Sequence, residues 1–202
     1  PTHDDRVLTL RQPHIWCVTD AWKRLENRPE GMCHHRGSLW LHAGLFGKTR
    51  GQQLKVRDQF GDTPAHDDEV LRLEFARRLW DGRLQRGAVV AHCRVVGRVF
   101  ASSREAIEEA RAEHRGRCSD SPCARGLGVV YNMADMEHLA ALDWRWWLGG
   151  GALILADVEP LPEPVLAKGR QGYWRLNEGE RKRAVFQLFT RRANPSKWTP
   201  TP

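Results

Sequence analysis

The chain has 202 residues, 41% of them hydrophobic and 28% charged, with 32 Lys and Arg against 25 Asp and Glu for a net charge of +7. That size and mix imply one domain with a packed core, or a compact domain carrying insertions. No apolar run reaches the roughly 18 residues needed to span a membrane, so no membrane partner is expected, and the polar opening PTHDD does not read as a signal peptide.

Pro1 is consistent with removal of an initiator Met from a cytoplasmic protein. The five cysteines are odd in number and scattered, which fits a reducing compartment better than a disulfide framework. Most of the basic residues are arginine, whose guanidinium suits phosphate contact and base stacking. The same bias also arises from genomic base composition, so charge alone leaves nucleic-acid contact and mere solubility both open. Nine tryptophans imply extensive core and helix packing, with two or three available for stacking.

In chain order, Val7 to Leu10 reads as a strand, and Pro13 as the first turn of a helix reaching about Trp22. Arg24 to Arg28 is extended and stopped by Pro29. Ser38 to Ala43 alternates, with Leu39 and Leu41 on one face and Trp40 and His42 on the other. Leu45 to Phe60 is partly helical. Asp67 to Trp80 is a stronger helix, with Val70, Leu71, Leu73, Phe75 and Leu79 as its apolar positions and Asp67 and Asp68 at its N-terminus. Ala88 to Phe100 is the clearest strand, with Gly97 a candidate bulge.

Ser102 or Ser103 then caps a helix to about His114. Gly116 to Gly128 is a loop, and Met133 to Leu142 a short helix. Leu153 to Val158 is a strand that Pro160, Pro162 and Pro164 break into a loop. Tyr173 to Leu176 is a short strand. Asn177 and Glu180 cap a last helix that turns Ala184, Val185, Leu188 and Phe189 inward and its basic residues outward. The tail from Asn194 is expected to be loose. Strands interrupted by helices without regular alternation give an α+β class around a small mixed or barrel-like sheet. The helical stretches at about 45–86 and 101–143 are insertions in a single domain spanning 1–193.

Lys23, Glu26 and Arg28 crowd three charges into six residues beside apolar neighbours. Strand parity points Glu26 and Arg28 the same way, and Lys23 sits at the helix-to-strand turn, from which it could reach them. Such a group could bind a nucleobase edge or its phosphate. A lysine in a partly apolar pocket, with a carboxylate beside it, could also move protons. A surface salt bridge is the plain alternative.

These residues stand in the segment Ala-Trp-Lys-Arg-Leu-Glu-Asn-Arg from Ala21 to Arg28, which resembles the G-x-K-x-x-E-x-R signature of the ASCH family, a branch of the PUA-like superfamily, with Ala21 in place of the glycine. LTLRQP (Leu8 to Pro13), Arg36–Gly37 before a strand carrying His42, GAVVAHCRVVG (Gly87 to Gly97) and LADVEPLPEPVLAKGRQGYWRL (Leu155 to Leu176) extend the likeness. It covers about half the chain, in order, and is similar to the ASCH domain of the activating signal cointegrator at both ends. The resemblance implies a PUA-like mixed β-barrel surrounded by helices, with a base-sized cleft lined by the motif.

It also implies a nucleic-acid binding module for RNA or for single-stranded or modified-base DNA. The alternative it implies is a hydrolase, either an amidohydrolase on an N4-acylcytidine-type nucleoside or a metal-dependent ribonuclease, with Lys23 and Glu26 as catalytic residues. In the amidohydrolases a threonine stands where this chain has Glu26, which argues against that activity here. Arg11 and Gln12 before the first helix could face the cleft or serve the turn. His42 could belong to the site or to the core. Lys168, Arg170 and Trp174 form a basic-aromatic loop suited to phosphate and stacking, or to plain packing. No cofactor is expected. Cys33, His34 and His35 with Cys118 and Cys123 match no standard zinc spacing, so no metal site is assigned. A protein partner on the inserted helices is a third reading, marked by an exposed apolar patch.

Overall fold

The structure is a computed structural model that describes residues 6–101, 129–131 and 142–194. The expected helices over 102–114 and 133–142, the loop with Cys118 and Cys123, and the tail from residue 195 fall outside these, in whole or nearly so. Among the described residues, seven strands and four α-helices follow in the order β1 (Arg6–Leu10), α1 (His14–Asp20), β2 (Leu25–Asn27), β3 (Gly37–Ala43), α2 (Arg50–Gly61), α3 (Glu69–Trp80), β4 (Ala88–Ala101), β5 (Val129–Tyr131), β6 (Gly150–Leu166), β7 (Tyr173–Arg175) and α4 (Glu178–Ala193). Among the same residues no helix is long and apolar enough to cross a membrane.

The strand order is β2-β6-β4-β3-β1-β7, with β5 pairing β4 off this path. The α+β class stands, but the expected barrel is corrected: among the described residues the path is open. Both end strands are three residues long, and each pairs on one side only, β2 with β6 and β7 with β1. Closure would need hydrogen bonds along the outer edges of two such short strands. Gly97 is paired in register with Tyr131 in an antiparallel ladder.

The contacts divide the chain into two compact units, one of Pro1–Trp22, Ser38–Cys93 and Asp157–Pro202, the other of Lys23–Gly37 and Arg94–Ala156. In the first unit β1 lies parallel to β3, with Val7 against Trp40 and Thr9 against His42, and antiparallel to β7, with Val7 against Trp174. The side chains of Val7, Trp40, Val89, Leu161, Val165, Trp174 and Leu176 meet Ala184 and Leu188 of α4. Burying a large apolar side chain is worth about 1.5–3 kcal/mol, so this cluster is what holds α4 in place. A capping box starts that helix: Asn177 Oδ1 accepts from the Glu180 backbone N–H at 2.8 Å and the Asn177 N–H donates to Glu180 Oε2 at 2.9 Å. Phe189 is 60% exposed, contrary to expectation. Ala184 and Leu188, one turn apart, are the buried stripe, and Val185, as expected, packs partly buried against the same cluster.

The helices between β3 and β4 pack through aromatic rings. Phe60 of α2 stacks on Phe75 of α3 at 4.0 Å, and Trp16 of α1 meets Phe75 at 5.1 Å. Phe75 and Leu79 are buried, whereas Val70 and Leu73 are 75% and 60% exposed. Those two lie roughly 140–160° round the helix from Phe75, so the broad apolar stripe expected for α3 is in fact a narrow one.

The second correction concerns β6, which runs unbroken through Pro160, Pro162 and Pro164. A strand excludes proline only where the ladder needs its N–H. Three prolines at alternate positions remove donors along one edge and leave the other intact. Pro160 O, on the depleted edge, accepts from Arg191 Nη1 at 3.0 Å.

Candidate functional site

The second unit contains the charged motif. β2 pairs antiparallel with β6, Glu26 opposite Leu153, and the backbone bonds Arg28 N–H to Gly151 O (2.9 Å) and Leu155 N–H to Arg24 O (2.8 Å) extend the ladder at both ends. Asn27, on the opposite side of the strand from Glu26, clamps the turn before β6. Its Nδ2 donates to Trp146 O at 2.8 Å and its Oδ1 accepts from Leu148 N–H at 3.0 Å.

Parity alone would turn Lys23 away. The backbone reverses just before it, because Trp22 adopts the left-handed φ of 56°. Ala21, at the place of the signature glycine, has φ −118°, which any L-residue accommodates. Lys23 Nζ thereby donates to Glu26 Oε2 at 2.7 Å, and Arg28 Nη2 lies 3.0 Å from Glu26 Oε1. One carboxylate thus meets both cations.

The plain surface salt bridge is not what forms. The side chains of Lys23 and Glu26 are 3% and 6% exposed, and that of Arg28 is 21% exposed. Arg28 is therefore the member that reaches the surface, and Lys23 fixes Glu26 from beneath. Such a group favours an anion or an acceptor edge.

In the first unit the chain brings together His42, Trp174 and the glycine loop between β6 and β7. His42 Nε2 donates to Ala167 O at 3.1 Å, which puts the ring proton on Nε2 because a carbonyl only accepts. His42 Nδ1 is buried with no partner among the described residues. Burial pushes the His42 pKa below 6.5, against smaller opposing pulls from the Ala167 bond and from Glu180, so the ring is neutral near pH 7. Trp174 meets it edge to face at 5.5 Å and donates from Nε1 to Thr9 Oγ1 at 3.0 Å. Gly169 lies so close that an added Cβ would sit 2.3 Å from His42 Cε1. His42 and Trp174 are thus the buried support of the loop, and Lys168 and Arg170 stand exposed upon it.

Arg11 is exposed, its guanidinium 5.8 Å from the Phe46 ring centre. Gln12 is buried, with Nε2 donating to Gln85 O at 3.0 Å. It lines a pocket of about 50 Å³ with Trp16, Asp20 and Arg78. Cys33 Sγ approaches Arg28 O and Pro29 O at 3.6 Å, His34 Nδ1 donates to Gly31 O at 3.0 Å, and His35 is buried. No group of three or more His, Cys, Asp or Glu side chains able to hold a metal ion occurs among the described residues. Sequence reasoning passed over Asn27, Thr9 and Gly169. The first two were visible as polar residues inside apolar strands, and the third as a glycine between two basic residues.

No family model matches the chain, and no curated protein matches it. Among solved structures it is similar to a point mutant of the ASCH protein of Zymomonas mobilis, at 12% identity and a TM-score of 0.40, over 92% of this chain and 97% of that one.

Proposed function

We propose that the chain is a nucleic-acid binding module that reads a base or phosphate edge through Arg28. The supporting observation is the buried Lys23–Glu26–Arg28 group, in which one carboxylate orients a partly exposed guanidinium. A guanidinium held in this way is suited to a bidentate acceptor edge such as that of guanine, or to a phosphate. Lys168 and Arg170, exposed on their loop, are suited to sequence-independent phosphate contact. The ligand class is RNA, or single-stranded or modified-base DNA, in a reducing, cytoplasmic setting that the buried Cys17, Cys33 and Cys93 fit.

Anisotropy titrations of labelled RNA and DNA oligonucleotides over a salt series test the reading. Affinity falls steeply with salt. Lys168→Ala and Arg170→Ala weaken all sequences alike and lower the salt slope by about 1 each. Arg28→Ala weakens binding and flattens the differences between sequences. Absence of binding to every oligonucleotide at low salt would falsify the proposal.

One observation favours a second reading, hydrolysis of a modified nucleoside or of RNA. The buried Lys23 amine lies within hydrogen-bond reach of the Glu26 carboxylate, the geometry of a proton relay. A nucleoside panel and an RNA-cleavage assay, each with and without a divalent metal, separate it from pure binding.

A further inference from the structure

The first unit holds a second polar chain that none of the binding argument uses. Ser38, at the start of β3, is partly exposed and lies 2.7 Å from His92 Nε2 through its Oγ. His92 is buried on β4, and its Nδ1 lies 3.7 Å from Glu159 Oε1 on β6. Trp40 meets the imidazole edge to face at 4.8 Å and so fixes the plane of the ring. Glu159 is itself held by a fork from Arg192, with Nε at 2.9 Å and Nη2 at 2.7 Å. That fork, ahead of every other cause, keeps the Glu159 carboxyl below its ordinary value. At 3.7 Å the contact is longer than a hydrogen bond, so the carboxylate acts on the ring through its charge, which favours the proton on Nδ1. Nε2 is then an acceptor, pointed at the serine hydroxyl.

We propose that Ser38, His92 and Glu159 form a nucleophilic serine centre acting on small carboxylic esters, independent of the Lys23 site. The order of groups is that of a serine, a base within hydrogen-bond reach, and an acid that orients the base. Ser38 Oγ forms a bond to the acyl carbon while its proton passes to His92 Nε2. The ester C–O bond breaks, and the departing alcohol takes that proton. Water then attacks the acyl carbon, giving its proton to His92, which returns one to Ser38 Oγ as the acid leaves. Ser38 is the nucleophile and His92 the base. Glu159 acts through His92 and is a positioning residue.

The test uses the full chain with a fluorophosphonate probe, read by intact mass and peptide mapping, and with p-nitrophenyl acetate. The expected result is one probe molecule per chain on Ser38, and ester turnover that Ser38→Ala and His92→Gln each lower by about 1,000-fold. Glu159→Gln slows labelling at Ser38, and Glu159→Asp recovers part of the rate at unchanged Tm, which a merely structural strap would not do. A folded wild-type chain left unlabelled at Ser38 overturns the proposal without recourse to any variant. So does labelling confined to another residue, or equal turnover in Ser38→Ala.

Discussion

Replacing Glu26 by Gln should be among the most damaging isosteric changes in the second unit. It keeps the shape of the side chain and removes the charge between Lys23 Nζ at 2.7 Å and Arg28 Nη2 at 3.0 Å. Two cations would then share one buried space with a neutral amide. Breaking a buried pair by removing one partner costs about 3–5 kcal/mol, because the other charge stays desolvated and uncompensated. Lys23, with its side chain only 3% exposed, bears that cost here. An exposed bridge of the same spacing would lose only about 0.2–1 kcal/mol. Urea unfolding followed by tryptophan fluorescence and far-UV circular dichroism, with coincident transitions as the two-state check, measures the difference. With a slope of about 2 kcal/mol per molar urea, the midpoint should drop by about 2 M. The double variant Lys23→Met/Glu26→Gln should lose less than the sum of its parts, since it removes one stranded charge. A loss below about 1 kcal/mol in Glu26→Gln would refute the reasoning, for the group would then behave as a surface bridge.

Gly169→Ala should destabilise the first unit by about 1–3 kcal/mol through overpacking, because the new methyl would sit 2.3 Å from His42 Cε1. Gly172→Ala, with nothing near the added carbon but φ of +69°, should cost less, about 1–2 kcal/mol of left-handed strain; equal losses in two thermal melts would remove the His42 contact from the account. His42 has a folded pKa below its ordinary 6.5, so below that value the unfolded chain binds the proton more readily and stability falls as pH drops. Denaturation followed from about pH 8 down to about pH 5 should show a slope that His42→Asn reduces, and an identical slope in both proteins would be evidence against a buried neutral His42.

The charged motif was legible because Glu26 and Arg28 differ by two in a strand, so that one register decides both. The position of Lys23 was not, because it depends on the left-handed turn at Trp22, and no side-chain pattern announces a positive φ at tryptophan. The capping box of α4 was legible because Asn177 and Glu180 act within one turn. Local spacing could not decide whether His42 was core or site. Its hydrogen bond to Ala167 crosses 125 positions, and only the folded chain brings Gly169 onto its ring. Val70 and Leu73 misled because hydrophobicity was counted without knowing which arc of α3 its neighbours cover. The open sheet likewise turns on the brevity of β2 and β7, which a resemblance to a barrel family conceals.

The three prolines of β6 also bear on association between chains. An incoming strand needs alternating donors and acceptors from the edge it joins. Along Pro160, Pro162 and Pro164 it would meet carbonyls alone, one of them already taken by Arg191. That edge is closed to sheet extension, whether by a second copy or by an unfolded segment seeking to aggregate. The strand is long enough to serve as a template, yet its sequence withholds the donors a template must offer.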